Sequence, residues 1–214
     1  MARVTRPSLK YARALGVTPV AGVDEAGCGP LAGPVVAAAV ILPAKGVPRG
    51  IDDSKKLSAN ERARLHGRLM RCAIVGIGIV ESDEIDRINI YWARMKAMTL
   101  AVEALSEAPA HVLVDGNRLP RWDRSATALV GGDTLCLSIA AASIVAKHTR
   151  DTIMLAHHEA HPQYGWASNK GYGCPAHFAA LREYGPTPLH RQSFAPVQRS
   201  GFRVDESFAQ HATG

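Results

Sequence analysis

The segment 20–30 constrains the fold more than any other part of the sequence, because it joins an apolar run to two adjacent carboxylates. The run ends in Asp24 and Glu25, and a turn with glycine at 27 and 29 follows at once. The apolar run predicts a buried strand, and the acids at its end need a partner, because carboxylates are rarely buried unless paired or metal-bound. Glycines let a ligand approach the backbone closely. The segment suits a site for a divalent cation and a phosphate, and a strand that simply ends in a solvated acidic turn stays open as the alternative.

The composition indicates a globular protein with an excess of basic residues, which suits a polyanionic partner but by itself decides little between that and a merely basic protein. The chain has 214 residues, of which 47% are apolar and 21% charged, and these proportions argue against disorder. The net charge of +6 favours nucleic acid as a partner. Its four cysteines form no CxxC pair, so a zinc ribbon or redox motif is not indicated. We find no apolar signal core and no run that could cross a bilayer, and we expect a cytoplasmic location with reduced thiols.

The periodicity predicts a mixed β-sheet flanked by helices, with the order β-β-α-β-α-β-β-α and then short helices. A capping box at 58–61 and Asn89 mark two helix starts, and Ser82 is expected to cap a short helical turn. Strands are expected at 20–25, 34–42, 73–80, 111–114 and 126–130, and helices at 8–15, 58–71, 89–105, 137–156 and 175–183. We divide the chain into an N-terminal extension (1–17), a core (18–161), a C-terminal helical appendage (162–200) and a flexible tail (201–214).

Acidic residues follow three of the predicted strands: Asp24 with Glu25, Asp115, and Asp133. If neighbouring strands bring them together, four acids repel one another unless a cation intervenes. Oxygen ligands of this kind select Mg²⁺ or Mn²⁺ over Zn²⁺, and two such ions about 4 Å apart can hydrolyse a phosphodiester. Adjacent residues on a regular strand face opposite sides. Asp24 and Glu25 can therefore meet one ion only through a bulge or through a backbone carbonyl.

Several further motifs occur in a fixed order along the chain. They are DEAGCG at 24–29, DSKKLS at 53–58, DGNR at 115–118, GD at 132–133, IAAASIVAK at 139–147, KGY at 170–172 and HRQSF at 190–194. No single motif is decisive, but their joint order and spacing resemble bacterial ribonuclease HII from about residue 20 to about residue 197. The resemblance implies an α/β ribonuclease H-like fold with a small C-terminal helical extension.

The resemblance also implies an activity and its site. A family member hydrolyses RNA in RNA–DNA hybrids and incises duplex DNA 5′ to a single embedded ribonucleotide, leaving 3′-hydroxyl and 5′-phosphate ends. Mn²⁺ or Mg²⁺ is the implied cofactor, and Asp24, Glu25, Asp115 and Asp133 match the metal-binding acids. The loop Gly27, Cys28 and Gly29 matches the element that reads the ribose 2′-hydroxyl, the group that distinguishes RNA from DNA. Tyr172 matches the tyrosine that packs on the sugar next to the ribonucleotide.

Two positions depart from the family pattern. Cys28 stands where the family usually has arginine, and Gly131 where it often has lysine. Backbone contacts of the loop survive the first change, but an arginine–phosphate contact does not, and such a contact contributes about 1–3 kcal/mol when charge-assisted. We therefore expect a weaker grip on phosphate, or compensation by another cation.

Other residues have weaker signals. Lys55, Ser143, Lys147, Lys170 and Arg191 are expected to contact the substrate. Asp151 is expected to form an ion pair with Arg150 or another base. His157 and His161 have the i, i+4 spacing of a metal site, but no fourth ligand is evident, and we expect a solvated helix end. Trp92, Trp122 and Trp166 are expected to be packing residues.

Two other classes of function compete with a hybrid-specific endonuclease. One is another two-metal nuclease of the same fold, such as an exonuclease, a resolvase or the type 1 ribonuclease H. The other is a non-catalytic nucleic-acid-binding module, which gains nothing from carboxylates beside phosphates. No motif indicates dimerisation, so a monomer is expected.

Overall fold

A five-stranded mixed sheet forms the centre of the structure, a computed structural model that describes residues 6–199. The strands are β1 (Val20–Ala26), β2 (Val35–Ile41), β3 (Ile74–Val80), β4 (His111–Asp115) and β5 (Ala126–Leu129). They lie in the order β3-β2-β1-β4-β5. β2 is antiparallel to β1 and β3, whereas β4 is parallel to β1 and β5. The predicted flexible tail and the first five residues of the predicted N-terminal extension lie outside the described residues.

The helices follow the predicted order, except that a short helix, Gly132–Leu135, lies before the long helix predicted from residue 137 and was not predicted. They are α1 (Lys10–Ala14), α2 (Ala59–Cys72), α3 (Ser82–Glu103), α4 (Gly132–Leu135), α5 (Leu137–Ala160), α6 (Trp166–Asn169), α7 (Pro175–Tyr184) and α8 (Ala195–Gln198), with a 3-10 turn at Pro162–Tyr164. None of the helices in the described part of the chain has the length and apolar character needed to span a membrane.

Local sequence signals explain how α2 and the second part of α3 begin. The Ser58 hydroxyl and the Glu61 carboxylate form the predicted capping box at the start of α2. Asn89 interrupts α3 with a φ of +64°, and its Oδ1 accepts hydrogen bonds from the N–H groups of Tyr91 at 3.0 Å and Trp92 at 3.2 Å. Asn89 therefore caps the second part of α3, as predicted. Ser82 caps nothing, because its hydroxyl donates to the Leu189 carbonyl at 2.7 Å.

The two faces of the sheet are covered by different helices. Helix α3 packs on the face that carries Val23, Ala37 and Ala39. Helices α2 and α5 pack on the face that carries Ala38 and Val40. Small residues allow this close packing, since a Cβ built on Gly22 would lie 2.2 Å from the Ser138 carbonyl carbon at the start of α5.

Replacing Gly22 with alanine is expected to lower the free energy of unfolding by about 1–3 kcal/mol through overpacking. The added Cβ would meet backbone atoms of Ser138 and Ile139 at 2.2–2.6 Å, and these atoms cannot rotate away. Gly67→Ala is the matched control, because its nearest neighbour is the flexible end of Arg71 at 3.7 Å. In a helix this change is expected to stabilise by about 0.5–1 kcal/mol. Urea denaturation measures both; an unaltered midpoint for Gly22→Ala contradicts the packing described here.

The short C-terminal helices pack against the far end of α5 and the loop that follows β1. Tyr164 and Trp166 are buried with Leu31, Ala32 and Met154 in one apolar cluster. The rings of Tyr164 and Trp166 are stacked with centroids 5.1 Å apart. This packing brings residues of the 160s to 190s next to the glycine loop at 27–29.

Candidate active site

Three of the four predicted acids meet at the carboxyl end of the central strands. Asp24 and Glu25 lie near the end of β1, and Asp115 ends the parallel strand β4. Because Val23 pairs with Val114, Asp24 and Asp115 follow side by side on neighbouring strands. Asp24, Glu25 and Asp115 line one cavity of about 420 Å³.

Strand β1 is regular where it carries the two adjacent acids. Asp24 pairs with Ala38 and Glu25 with Ala37, and no residue is inserted between them. Directly opposite residues share a face of the sheet, so Asp24 lies on the α5 side and Glu25 on the α3 side, where its Oε1 is 3.4 Å from an Arg94 guanidinium nitrogen. The predicted alternation is therefore present without a bulge, and both acids line the cavity just beyond the last residue pair of β1 with β4.

Burial and mutual repulsion act on the acids together. Burial, followed by the charges of Glu25 and Asp115, holds the pKa of Asp24 well above its usual range. Burial also raises the pKa of Glu25, with Arg94 opposing it. The pKa of Asp115 is raised by burial and then by Asp133. A positive charge between these groups would relieve the repulsion.

The acid cluster fits a divalent cation in charge and donor type. Glu25 Oε2 is buried and has no hydrogen-bond partner within the described residues, and a buried orphan acceptor calls for a ligand. The atoms that the acids offer as metal ligands are carboxylate oxygens, which suit Mg²⁺ or Mn²⁺. Across residues 6–199, no three His, Cys, Asp or Glu side chains already form a ligand group. Two of the acids are instead turned toward cationic side chains, Glu25 to Arg94 and Asp133 to Lys55.

The sequence pattern placed Asp133 at the end of a strand, but the structure does not. Strand β5 stops at Leu129, and Asp133 lies in the first turn of α4, where Gly131 takes a left-handed φ of +66°. The turn is tied to the acid cluster because the Gly132 N–H donates to Asp115 Oδ1 at 2.7 Å. Lys55 Nζ reaches Asp133 Oδ2 at 3.4 Å. Asp133 therefore joins the cluster from a helix start, where the dipole favours a carboxylate.

The glycine loop closes one side of the cavity. Gly27, Cys28 and Gly29 all line it. The Cys28 thiol donates to Glu25 Oε1 at 3.6 Å, and burial raises the pKa of this thiol to about 12. Cys28 is therefore neutral at physiological pH, and it brings no positive charge to the loop.

Five further residues were predicted to contact the substrate, and they differ in whether they line the cavity. Lys55, Ser143, Lys147 and Tyr172 line the cavity, but Lys170 does not. The Ser143 hydroxyl shares a 2.8 Å hydrogen bond with Ser54. Tyr172 is 46% exposed and borders Gly29, since a Cβ on that glycine would be 3.5 Å from the tyrosine ring. The Lys170 ammonium group instead donates to the Ala167 carbonyl.

The predicted nucleic-acid contact of Arg191 is wrong. Its side chain is fully buried, and its guanidinium donates to the carbonyl oxygens of Gly27, Cys28 and Gly33 at 2.6–3.1 Å. A buried guanidinium whose donors reach protein carbonyls cannot contact a phosphate outside. Arg191 therefore supports the glycine loop from beneath.

Asp151 forms the predicted ion pair, but not with Arg150. Lys147 Nζ lies 2.7 Å and an Arg62 nitrogen 3.6 Å from its carboxylate, whereas Arg150 donates to three backbone carbonyls. This network connects α2 and α5 at the edge of the cavity.

The histidines at the end of α5 are packed rather than solvated. The rings of His157 and His161 lie edge-on to Trp166, with centroids 6.5 Å and 5.6 Å apart. Trp166 is buried and Trp122 packs against the core, as predicted. Trp92 is different, because it is 38% exposed and the Arg121 guanidinium lies 4.7 Å from its ring centroid.

The mixed sheet flanked by helices is the fold of the ribonuclease H class of nucleases. The crystal structure of the ribonuclease H2 from Pyrococcus horikoshii OT3 matches with a TM-score of 0.73 and 25% identity, over 85% of this chain and 96% of that chain. The predicted ribonuclease H-like fold is confirmed.

Sequence comparison narrows the class to one family. The family model described as Ribonuclease HII matches residues 21–197. A ribonuclease HII of Rhizorhabdus wittichii is 65% identical over 179 residues, which cover 84% of this chain and 89% of the relative. One of Novosphingobium aromaticivorans is 59% identical over 187 residues, covering 82% and 95%. The chain belongs to the ribonuclease HII family. It is a metal-dependent endoribonuclease of the ribonuclease H type that acts on RNA in RNA–DNA hybrids.

Proposed function

We propose that the protein incises duplex DNA 5′ to a single embedded ribonucleotide, in addition to cleaving longer hybrids, and leaves 3′-hydroxyl and 5′-phosphate ends. One observation carries the proposal: three of the acids (Asp24, Glu25 and Asp115), the glycine loop and Tyr172 line one cavity. A reacting phosphodiester and the neighbouring ribose can therefore be held at the same time. We also propose that the protein acts as a monomer.

The acids of this chain would hold the cations of the reaction. Asp24, Glu25, Asp115 and Asp133 would bind two divalent ions, Mn²⁺ or Mg²⁺, and such ions would supply activation of water and stabilisation of the leaving oxygen. Asp24 and Asp115 would hold such ions from fixed positions, because they follow the paired residues Val23 and Val114 on neighbouring strands. No covalent intermediate is proposed, since the reaction needs no side-chain nucleophile when water attacks directly.

The residues around the acids would orient the nucleic acid. The N–H groups of Cys28 and Gly29 make no recorded hydrogen bond to other described residues, and such donors suit a ribose hydroxyl or a phosphate oxygen. Tyr172 would pack on the adjacent sugar from the opposite side of the loop. Lys55, which is largely exposed, would supply positive charge to the backbone.

The test is cleavage of a labelled DNA duplex that carries one ribonucleotide, with Mg²⁺ or Mn²⁺, and mapping of the cut. A single cut 5′ to the ribonucleotide supports the proposal. Cleavage of long hybrids alone contradicts it and indicates type 1 behaviour. Binding without turnover at any metal concentration indicates a non-catalytic module.

Cys28→Arg is expected to lower the KM for the single-ribonucleotide duplex by about tenfold, because a charge-assisted phosphate contact of about 1.4 kcal/mol corresponds to that factor. The new side chain would enter from the loop that lines the cavity. Cys72→Arg is the matched control, since that cysteine is exposed at the end of α2 and gains the same charge. Steady-state kinetics measure both. An unchanged KM for Cys28→Arg means that no phosphate contact is missing.

A further inference from the structure

Two arginines are buried beneath the cavity without a carboxylate partner. Arg150 is 1% exposed and Arg191 fully buried, and neither forms a salt bridge with a described residue. An unpaired buried charge is costly unless hydrogen bonds compensate for it. Every recorded hydrogen bond of the two guanidinium groups goes to a backbone carbonyl: Ala32, Pro34 and Lys170 for Arg150, and Gly27, Cys28 and Gly33 for Arg191.

The arginines determine which groups the glycine loop presents. Arg191 draws the carbonyls of Gly27 and Cys28 toward the interior at 2.6 Å and 3.0 Å. The N–H groups of Leu31 and Gly33 donate to the carbonyls of Gly171 and Leu189 at 2.8 Å. The N–H groups of Cys28 and Gly29 are left for a ligand. A loop without these internal contacts would not hold its donors in one orientation.

A pair of buried histidines extends the network to Tyr172. His190 Nδ1 accepts from the Thr187 N–H at 2.9 Å, so the His190 proton lies on Nε2. That nitrogen is 3.1 Å from His177 Nε2, which therefore accepts from it and also from the Trp166 indole N–H at 3.3 Å. His177 then carries its proton on Nδ1 and donates it to the Tyr172 carbonyl at 2.9 Å. Burial lowers the pKa of both histidines, that of His190 to about 3. Each ring is neutral, with one tautomer selected by its neighbours.

The adjacent residues His190 and Arg191 thus connect to both the Gly27–Gly29 loop and Tyr172. Arg191 binds the carbonyls of the glycine loop, and the preceding residue, His190, reaches the Tyr172 backbone through His177. The loop and Tyr172 are more than 140 residues apart in the sequence, but in the structure Gly29 borders the Tyr172 ring. This connection acts together with the Leu31–Gly171 backbone hydrogen bond and the contacts of Arg150 to Pro34 and Lys170, and among the described residues it alone ties both the loop carbonyls and the Tyr172 carbonyl to adjacent residues.

We propose that His190 and Arg191 are positioning residues that fix the gap between the Gly27–Gly29 loop and Tyr172, and that this gap sets the preference for an isolated ribonucleotide. The inference rests on the proposed function, because it concerns the substrate choice of the same site. A continuous hybrid has a 2′-hydroxyl on every ribose of its RNA strand, so another hydroxyl can be bound when the gap is misplaced. A single ribonucleotide has only one 2′-hydroxyl, so a misplaced gap loses that contact. A misplacement of about 1 Å can cost on the order of 100-fold in rate.

The test uses two variants. In His190→Asn, the amide oxygen can still accept from Thr187, but the side chain is too short to reach His177. In Arg191→Lys, the charge remains but only some of the carbonyl contacts can be made. Each variant is expected to lower the ratio of kcat/KM on the single-ribonucleotide duplex to kcat/KM on a long hybrid by on the order of tenfold or more. Arg182→Lys is the control, since Arg182 is exposed on α7.

An equal loss on both substrates indicates a merely structural role and overturns the proposal. A second measurement does not depend on cleavage: the amide chemical shifts of Gly29 and Tyr172 are expected to change in His190→Asn and not in Arg182→Lys. Unchanged shifts at both residues overturn the positioning role. If the wild-type protein fails to cut at a single ribonucleotide, the proposed function fails, and the amide shifts still decide whether His190 positions the loop and the tyrosine.

Discussion

Asp24→Asn and Asp115→Asn are each expected to lower kcat/KM by about three orders of magnitude, because loss of a cation ligand removes several kcal/mol of transition-state stabilisation. The two carboxylates lie side by side on β1 and β4 and line the cavity with Glu25. Asparagine keeps the shape of each side chain and removes the charge that attracts a cation. Cleavage of the single-ribonucleotide duplex, measured over a range of Mn²⁺ concentrations, tests this expectation.

The same variants are expected to keep the fold. Without metal, the thermal midpoint of Asp24→Asn is expected to be no lower than that of the wild type, since the change removes a buried charge close to Glu25 and Asp115. Glu103→Gln, an exposed change at the end of α3, controls for loss of a negative charge elsewhere. Near-normal turnover in either variant removes that residue from the proposed metal site.

Gly27→Ala is expected to lower the free energy of unfolding by about 4 kcal/mol, from backbone strain together with overpacking. Gly27 has a φ of +98°, and an added Cβ would lie 2.1 Å from Arg150 Nε and 2.7 Å from the Pro34 carbonyl oxygen. The overlap would push Arg150 away from carbonyls that it holds. Cleavage of both substrates is expected to fall with stability, and thermal unfolding together with kinetics measures the two effects.

Gly29→Ala separates the effect of backbone strain in the loop from the effect of a methyl group on substrate recognition. Gly29 has no positive φ, and its nearest neighbour would be the Tyr172 ring at 3.5 Å, an ordinary contact. Its thermal midpoint is therefore expected to stay close to that of the wild type, although the methyl group narrows the gap beside Tyr172. Equal destabilisation by Gly27→Ala and Gly29→Ala contradicts the loop geometry described above.

Much of the fold could be predicted because its signals are local. Apolar runs gave the five strands, and the Ser58 and Asn89 caps gave the starts of two helical segments. The meeting of Asp24 with Asp115 follows from the parallel pairing of two buried strands that both end in acid. The position of Asp133 was not predictable in the same way, since the sequence pattern of β5 does not reveal the short helix that follows it.

The supporting residues could not be predicted, because their roles depend on contacts between distant segments. Arginine is usually exposed, and nothing beside Arg150 or Arg191 in the sequence indicates burial. Arg150 reaches Pro34 across 116 positions and Arg191 reaches Gly27 across 164. Arg94 was missed for the same reason: its contact with Glu25 joins residues 69 positions apart.

Strand β3 has a consequence for how the protein behaves when it is partly unfolded. It lies at the edge of the sheet, paired with β2 alone among the described strands, and its sequence IVGIGIV has no charge and no proline. An apolar edge of this kind can pair with the same strand of another molecule and start aggregation. Arg71 and Glu81 flank it and act as charged gatekeepers. Helix α3 packs on one face of β3, so its unfolding would add an exposed apolar face to the unpaired edge of this strand.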